Sequence, residues 1–286
     1  MKKLAAVLLV VLTIACVLTS CETTEPANPF TPDMIKTPSP VKSPASTPKD
    51  TPPDESPEPV DPTPPQAADY IPEITDIVYT DTKTIASIYT LTVTGYYPKT
   101  GVPAIDSFYE AERDRLIAES ESFAEEISTY DNDYDDSVYF PTEFSLDDDY
   151  EIIKNSSNIL SVHRMFYIYS GGAHGSNGDY CDNFRISDGK RLTLDDIFDC
   201  TSDEYRADIC RVFDAFIEAN SGDNGEYYFF DDAKETLREY FPANEFCITD
   251  NGLLFFISPY YIGPYAAGTI EIPVAWADLT VTRKNI

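Results

Sequence analysis

The stretch Ile159-Leu160-Ser161-Val162-His163-Arg164-Met165-Phe166-Tyr167-Ile168-Tyr169, continued by Ser170-Gly171-Gly172-Ala173-His174-Gly175, decides the class of fold. Leu160, Val162, Phe166 and Ile168 fall on one side of a two-residue repeat. Ser161, His163, Tyr167 and Tyr169 fall on the other, which is the pattern of a β-strand. The residues that follow lack large side chains, so the backbone there can bend sharply and approach a partner closely. Beyond them Tyr180, Asp182, Phe184 and Ile186 alternate again, and Asp188-Gly189 signals a tight turn.

Towards the N-terminus, residues 85–93 alternate, with Ile85, Ser87, Tyr89, Leu91 and Val93 on one side, and a strand over 71–79 is expected before them. Between 104 and 130 the apolar positions Ile105, Phe108, Tyr109, Leu116, Phe123 and Ile127 recur at helical spacing among many acids, so one long amphipathic helix is predicted with a solvated charged face. Towards the C-terminus, Thr193 reads as the N-cap of a short helical turn over 195–198. Tyr205, Ile209, Phe213, Phe216 and Ile217 mark a second helix, and Leu237, Tyr240 and Phe241 a shorter third. Asn251-Gly252 reads as a hairpin turn between strands at 246–249 and 253–258. Strands and helices do not alternate regularly, so the expected class is α+β: an antiparallel sheet with one long amphipathic helix and two shorter helices packed on it.

The ends of the chain have a different character. Lys2 and Lys3 precede an apolar run over 4–18, the charged and hydrophobic regions of an export signal, and the run is shorter than the ~20 residues a membrane-spanning helix needs. It ends in Leu18-Thr19-Ser20-Cys21, which resembles the lipobox of bacterial lipoproteins; on that resemblance Cys21 carries a lipid anchor. Residues 22–69 are dominated by Pro, Thr, Ser and acids, with no face to bury, and in polyproline II geometry would reach about 150 Å. The expected organisation is a signal peptide at 1–20, a disordered tether at 21–69, an α+β subdomain at 70–155 and a second at 156–286.

Twenty Lys and Arg against fifty Asp and Glu give a net charge of −30 over 286 residues. Residues 70–286 hold 41 of the acids and 15 of the bases, a net −26. Such a balance argues against nucleic acid, whose phosphates repel it, and is compatible with a basic macromolecular partner, bound cations or mere solubility.

Only His163 and His174 are present, which rules out sites needing several imidazoles, and no G-x-S-x-G elbow occurs. His163, mid-strand, reads as structural. Asp131, Asp133 and Asp135 alternate as in a calcium loop, but Asp136 and Thr142 stand where an EF-hand needs Gly and Glu. No metal or cofactor is therefore expected. Of the cysteines, Cys181, Cys200, Cys210 and Cys247 fall in the folded part; three pairings are open, as are free buried thiols, and the absence of a C-x-x-C pair argues against structural zinc. Carboxylate pairs at glycosidase separation are possible by number alone, without one acid standing out.

Two loops do stand out. One is Ser170 to Gly175. The other is Ser258-Pro259-Tyr260-Tyr261-Ile262-Gly263-Pro264-Tyr265-Ala266-Ala267-Gly268, where three tyrosines are held between prolines and glycines. Rigid aromatic loops make good recognition surfaces, because Tyr gives contact area for little lost entropy.

Ser170-Gly171-Gly172-Ala173-His174, then Phe184 and Asp188-Gly189-Lys190-Arg191-Leu192-Thr193-Leu194-Asp195-Asp196-Ile197-Phe198, resemble the signature of the paired extracytoplasmic domains of RsiV-type anti-sigma factors. Gly263-Pro264-Tyr265-Ala266-Ala267-Gly268 with Ile272-Pro273 resemble that family's C-terminal signature. Similar domains precede the catalytic domain in some peptidoglycan deacetylases. The resemblance implies an α+β binding domain outside the membrane that, in the anti-sigma members, recognises lysozyme around these loops; lysozyme of that type is basic, which suits a net-acidic domain. A lipobox and stalk stand where the anti-sigma proteins carry a sigma-binding segment and a spanning helix, so sigma-factor regulation is not expected, and deacetylase activity is not carried over. The expectation is a non-catalytic, lipid-anchored protein on the extracytoplasmic face of a bacterial membrane. It would bind a lysozyme-like basic protein or a cell-wall glycan through Ser170, Gly171, Gly172, His174, Pro259, Tyr260, Tyr261, Pro264 and Tyr265. A wall-active hydrolase would instead need an acid deep in a cleft beside His174, and a structural spacer without ligand would turn the tyrosines inward.

Overall fold

The computed structural model describes residues 70–129, 142–222, 225 and 227–285. The expected signal peptide, the lipid-bearing Cys21, the tether and the acidic loop at Asp131 to Asp135 lie outside them.

Six strands form one sheet in sequence order: β1 (Thr75–Ile85), β2 (Tyr89–Lys99), β3 (Glu143–Asn155), β4 (Ile159–Tyr169), β5 (Ser176–Arg185) and the short β6 (Lys190–Arg191). Helix α1 (Pro103–Ser128) connects β2 to β3. After β6 come a single turn α2 (Leu194–Ile197), α3 (Ser202–Asn220) and α4 (Ala233–Glu239). A second, three-stranded antiparallel sheet closes the chain: β7 (Phe246–Ile248), β8 (Gly252–Ile257) and β9 (Ile270–Ala275). No described helix is long and apolar enough to cross a membrane.

The α+β expectation holds, with three differences in detail. First, β2 and β3 run parallel, because α1 carries the chain from one end of the sheet back to the other; the remaining pairs are antiparallel. Second, the alternation over 85–93 is not one strand. Ile85 ends β1, Ala86 and Ser87 turn with φ of 50° and 67°, and Ile88 N–H donates to Ile85 C=O at 3.2 Å. The hairpin was hidden because Ile85 and Tyr89 face each other across it, and no Gly, Asn or Pro marks the turn. Third, the boundary drawn at 155/156 falls between β3 and β4, which pair in one sheet from Ser145 opposite Tyr169 to Asn155 opposite Leu160, with a bulge between Ile152 and Lys154.

The period-two pattern of β4 assigns two cores. One face of the sheet buries Leu91, Val93, Tyr97, Leu146, Leu160, Val162 and Phe184 against Ile105, Tyr109, Leu116 and Ile127 of α1. The other face carries Ser161, His163, Cys181 and Asn183, and all four are buried. The second sheet covers them. Alternate residues of β8 divide its contacts: Leu253, Phe255 and Ile257 pack on the α3 and α4 core, while Leu254 and Phe256 turn to the six-stranded sheet. Asn183 laces the layers together. Its Oδ1 accepts from Ile248 N–H (2.8 Å) and Ser161 Oγ (2.7 Å), and its Nδ2 donates to Phe246 C=O (2.7 Å), so the buried amide replaces missing strand pairing. The expected hairpin between β7 and β8 forms, but Thr249 N–H donates to Gly252 C=O at 2.9 Å, so Asp250 and Asn251 make the turn, and Gly252 is needed because a Cβ there would lie 2.1 Å from Val274 O on the neighbouring strand.

Charge also enters the α1-facing core. Arg164, on β4, lies among Asp182 (2.8 Å), Glu112 (3.0 Å) and Asp148 (3.3 Å), with both aspartates fully buried. Asp148 Oδ2 also accepts from Tyr97 O–H at 2.9 Å, whereas its Oδ1 has no hydrogen-bond partner. Burial therefore outweighs Arg164's attraction and pushes the Asp148 carboxyl up from 3.8 to about 6. The folded state holds this proton more tightly than the unfolded chain. Ionised Asp148 thus subtracts stability above about pH 6, by roughly 3 kcal/mol at 1.36 kcal/mol per pH unit, and the penalty disappears as pH falls towards 4. D148N should therefore be more stable than the parent at pH 7.5 and lose that advantage at pH 4. Urea midpoints of both proteins across this range check it; an unchanged difference would refute the assignment.

Candidate functional site

The glycine loop leaves β4 at Tyr169. Gly171 (φ 105°) and Gly172 (φ 90°) take conformations that side chains rarely adopt, and Tyr169 O–H donates to Gly172 C=O at 3.1 Å. Gly175 is buried under Tyr167, whose ring would sit 2.4 Å from any Cβ there. These constraints lift His174 onto the surface, where its Nδ1 lies 2.8 Å from Gly175 O. A carbonyl only accepts, so Nδ1 carries the hydrogen and a neutral His174 presents Nε2 as an acceptor.

The tyrosine loop joins β8 to β9. Pro259 and Tyr260 occupy the central positions of a turn closed by Tyr261 N–H donating to Ser258 C=O at 3.3 Å. Tyr260 has φ 69°, the position a type II turn normally gives to Gly or Asn. A bulky residue there stores backbone strain, the kind found where function holds it. Ile262, 1% exposed, anchors the middle of the loop in the core, and its C=O accepts from Phe230 N–H at 2.9 Å. A 3-10 turn over Tyr265–Ala267 then ends at Gly268 (φ 67°).

The two loops, some ninety positions apart, meet. His174 stacks on Tyr265 with ring centres 3.9 Å apart and planes 16° from parallel. Tyr260 tilts over the same pair, 5.7 Å from Tyr265, with its O–H 3.3 Å from His174 Nε2. Tyr260 is 55% exposed, so the rings form an outward-facing aromatic patch.

Beneath the patch one side chain ties it to the sheet. Asp179, near the start of β5, accepts at Oδ2 from Ser258 Oγ (2.8 Å) and Thr269 Oγ1 (2.9 Å), the residues flanking the tyrosine loop on either side. Its Oδ1 lies 2.8 Å from His163 Nε2, and the His163 ring stacks on Phe256 at 3.7 Å. Asp179 thus pins both ends of the loop to the six-stranded sheet. Nothing in the sequence singled it out, since one Asp among 41 acids carries no signal. His163 is structural, as expected.

The other expected contact residues divide. Ser170 is exposed at the end of β4, and Gly171, Gly172, Pro259 and Pro264 shape the two loops. Tyr261 does not join the patch. Its ring packs edge-on to Tyr240, its O–H reaches Tyr240 C=O at 3.5 Å, and burial together with Glu245 pushes its hydroxyl up to about 12. Ile262 forces this, because the buried side chain turns its neighbours in different directions. The segment Asp188 to Phe198 serves the fold: Gly189 (φ 65°) abuts Ala104, Thr193 forms a capping box with Asp196, and Leu192, Leu194, Ile197 and Phe198 are buried.

The acid beneath His174 lies in no cleft: the Asp179 side chain is 2% exposed and both its oxygens are engaged. A cavity of about 760 Å³ lies elsewhere, between α3 and the C-terminal segment, lined by Cys200, Glu204, Asp208, Arg211 and Thr280 among others. Among the described residues no cluster of His, Cys, Asp or Glu is placed to hold a metal ion.

Residues 92–177 match the family model described as Deacetylase PdaC, and residues 195–277 match that of DUF3298, a protein family of unknown function. The chain carries both domains. The PdaC match contains the glycine loop and the DUF3298 match contains the whole tyrosine loop, so each domain contributes one half of the aromatic patch, and Asp179 lies between the two matches. A crystal structure of a DUF3298 family member from Bacteroides fragilis superposes with a TM-score of 0.56 at 16% identity, covering 76% of this chain and 95% of that one. One from Pseudomonas aeruginosa superposes with a TM-score of 0.55 at 18% identity, covering 75% and 96%. At these identities the likeness is one of fold. No curated protein matches.

Proposed function

We propose that this PdaC and DUF3298 domain pair is a non-catalytic receptor, lipid-anchored at Cys21 on the outer face of a bacterial membrane, that binds a basic protein of the lysozyme type through the His174, Tyr260 and Tyr265 patch. The observation that carries this reading is the convergence of two separate loops, one held by strained and glycine backbone, into a single exposed aromatic surface. Ordered aromatic rings offer contact area and cation-π faces to Lys and Arg without losing much side-chain freedom. The net charge of −26 over residues 70–286 adds long-range attraction for a basic partner. A cell-wall glycan is the second reading, favoured by the flat face that stacked His174 and Tyr265 provide. A carboxylate hydrolase has less support, since Asp179 is occupied by three donors.

Titration of residues 70–286 with a basic lysozyme and with soluble peptidoglycan fragments, at 50 and 500 mM salt, tests the proposal. Saturable lysozyme binding that weakens at high salt is expected. Binding of glycan alone, insensitive to salt, would favour the second reading, and binding of neither would overturn both. Y260N supplies a sharper test. Asn accepts a positive φ, so the variant should equal or exceed the parent in stability by up to about 1 kcal/mol while binding falls about tenfold. Unaltered affinity in Y260N would remove the patch from the binding surface.

A further inference from the structure

Cys181 and Cys247 belong to different sheets but pack together. Asn183 and Cys181 project from the same face of β5, and Asn183 hydrogen-bonds the backbone of Phe246 and Ile248, the two residues flanking Cys247. That clamp sets Cys247 and Cys181, both free thiols, in one small buried cluster with Phe256. Of the six single bonds four cysteines allow, this one is spatially prepared: Cys210 directs its thiol at Leu237 C=O in the helical core, and Cys200 lies half-buried just before α3.

We propose that Cys181 and Cys247 form a disulfide that staples the three-stranded sheet to the six-stranded sheet. This rests on the reading that the chain is exported, because structural disulfides persist in oxidising compartments. The reaction needs a disulfide oxidant, either an oxidoreductase of the thioredoxin type or oxidised glutathione. One cysteine thiolate attacks the oxidant's disulfide and forms a mixed disulfide. The second thiolate displaces the oxidant's remaining sulfur, so two protons and two electrons leave the protein and the oxidant departs as two thiols. Burial and the neighbouring Cys247 push the Cys181 thiol up, and only the thiolate is reactive. The bond is therefore made while the second sheet docks, and the closed, reduced protein oxidises slowly.

The staple is linked to the tyrosine loop through a chain of buried contacts. Phe256 shares the buried cluster of the two cysteines and stacks on His163, which holds Asp179, which pins the tyrosine loop. Refolding the denatured chain in a mixture of reduced and oxidised glutathione, followed by alkylation and peptide mass analysis, tests the bond without any assumption about location. A linked Cys181–Cys247 peptide, with Cys200 and Cys210 alkylated, is expected. So is a melting temperature that falls by on the order of 10 °C on reduction, a drop absent in C181A/C247A. The C200S/C210S variant keeps only the proposed pair, so the test remains decidable if the double alanine variant fails to fold. Four alkylated thiols in refolded protein, or a bond involving Cys200 or Cys210, would overturn the proposal. If the bond forms in vitro but protein taken from cells under alkylating conditions is fully reduced, the export reading fails and the geometry stands.

Discussion

R164M is expected to lose about 4 kcal/mol of folding stability, measured by urea denaturation near neutral pH. Arg164 is 97% enclosed in side-chain terms, at 3% exposure, and is shared by Asp182, Asp148 and Glu112. Its guanidinium also lies over the Tyr180 ring at 5.2 Å. Attraction to three carboxylates outweighs its desolvation, so its positive charge is held throughout the accessible pH range. Methionine fills much the same volume but removes the cation shared by two fully buried aspartates, of which Asp182 keeps Arg191 at 2.7 Å and Asp148 keeps only the Tyr97 hydroxyl. Breaking a buried ion pair from one side costs about 3–5 kcal/mol, because the remaining charge is uncompensated. Much of the loss should return when D148N or D182N is added to R164M, since the second change removes part of that stranded charge. A loss below about 1 kcal/mol for R164M alone would show that the carboxylates are hydrated or protonated in the fold, and the charge cluster would have no structural weight. Hydrophobic exchange of the whole cluster is a different experiment and need not destabilise.

D179A should have the largest effect on binding of any change outside the patch, with affinity down more than tenfold and stability down about 3 kcal/mol. Three donors lose their acceptor at once: His163 in the interior, and Ser258 and Thr269 at the two ends of the tyrosine loop. Hydrogen bonds to a charged acceptor contribute roughly 1.5–3 kcal/mol each, and partial rehydration of the half-buried hydroxyls offsets some of the loss. Tyr260 and Tyr265 remain intact, so the loss of affinity would come from a loop that no longer holds them against His174. Hydrogen exchange distinguishes that cause from general unfolding: amides of residues 258–269 should exchange faster while those of α1 and β2 stay protected. D179N should recover part of the stability, because its carbonyl still accepts, though its amide nitrogen cannot receive two hydroxyl donors. Unchanged affinity in folded D179A would mean that the loop is held by Ile262 alone.

Much of this architecture is visible in residue spacing. The long helix, the β4 and β5 alternation, the Thr193 cap and the hairpin between β7 and β8 follow from local rules that neighbouring residues satisfy by themselves. The β1–β2 hairpin escaped those rules because its turn uses Ala86 and Ser87 at positive φ, where local preference would place glycine or asparagine. The burial of the second face of β4 and β5 has a non-local cause. Ser161, His163, Cys181 and Asn183 occupy alternate positions, and only the arrival of β7 and β8, encoded some sixty to ninety positions later, buries them.

The candidate site shows the same division. Glycines and tyrosines in the primary order determined that two loops would be turned sharply and kept rigid, since backbone permissiveness and ring size are properties of single residues. That the loops lie side by side, that Tyr261 faces away from them, and that Asp179 fastens them to the sheet were decided by tertiary structure. Those outcomes depend on which faces of two sheets exclude water together, and burial of a side chain is a property of the assembled fold, not of the residue that carries it.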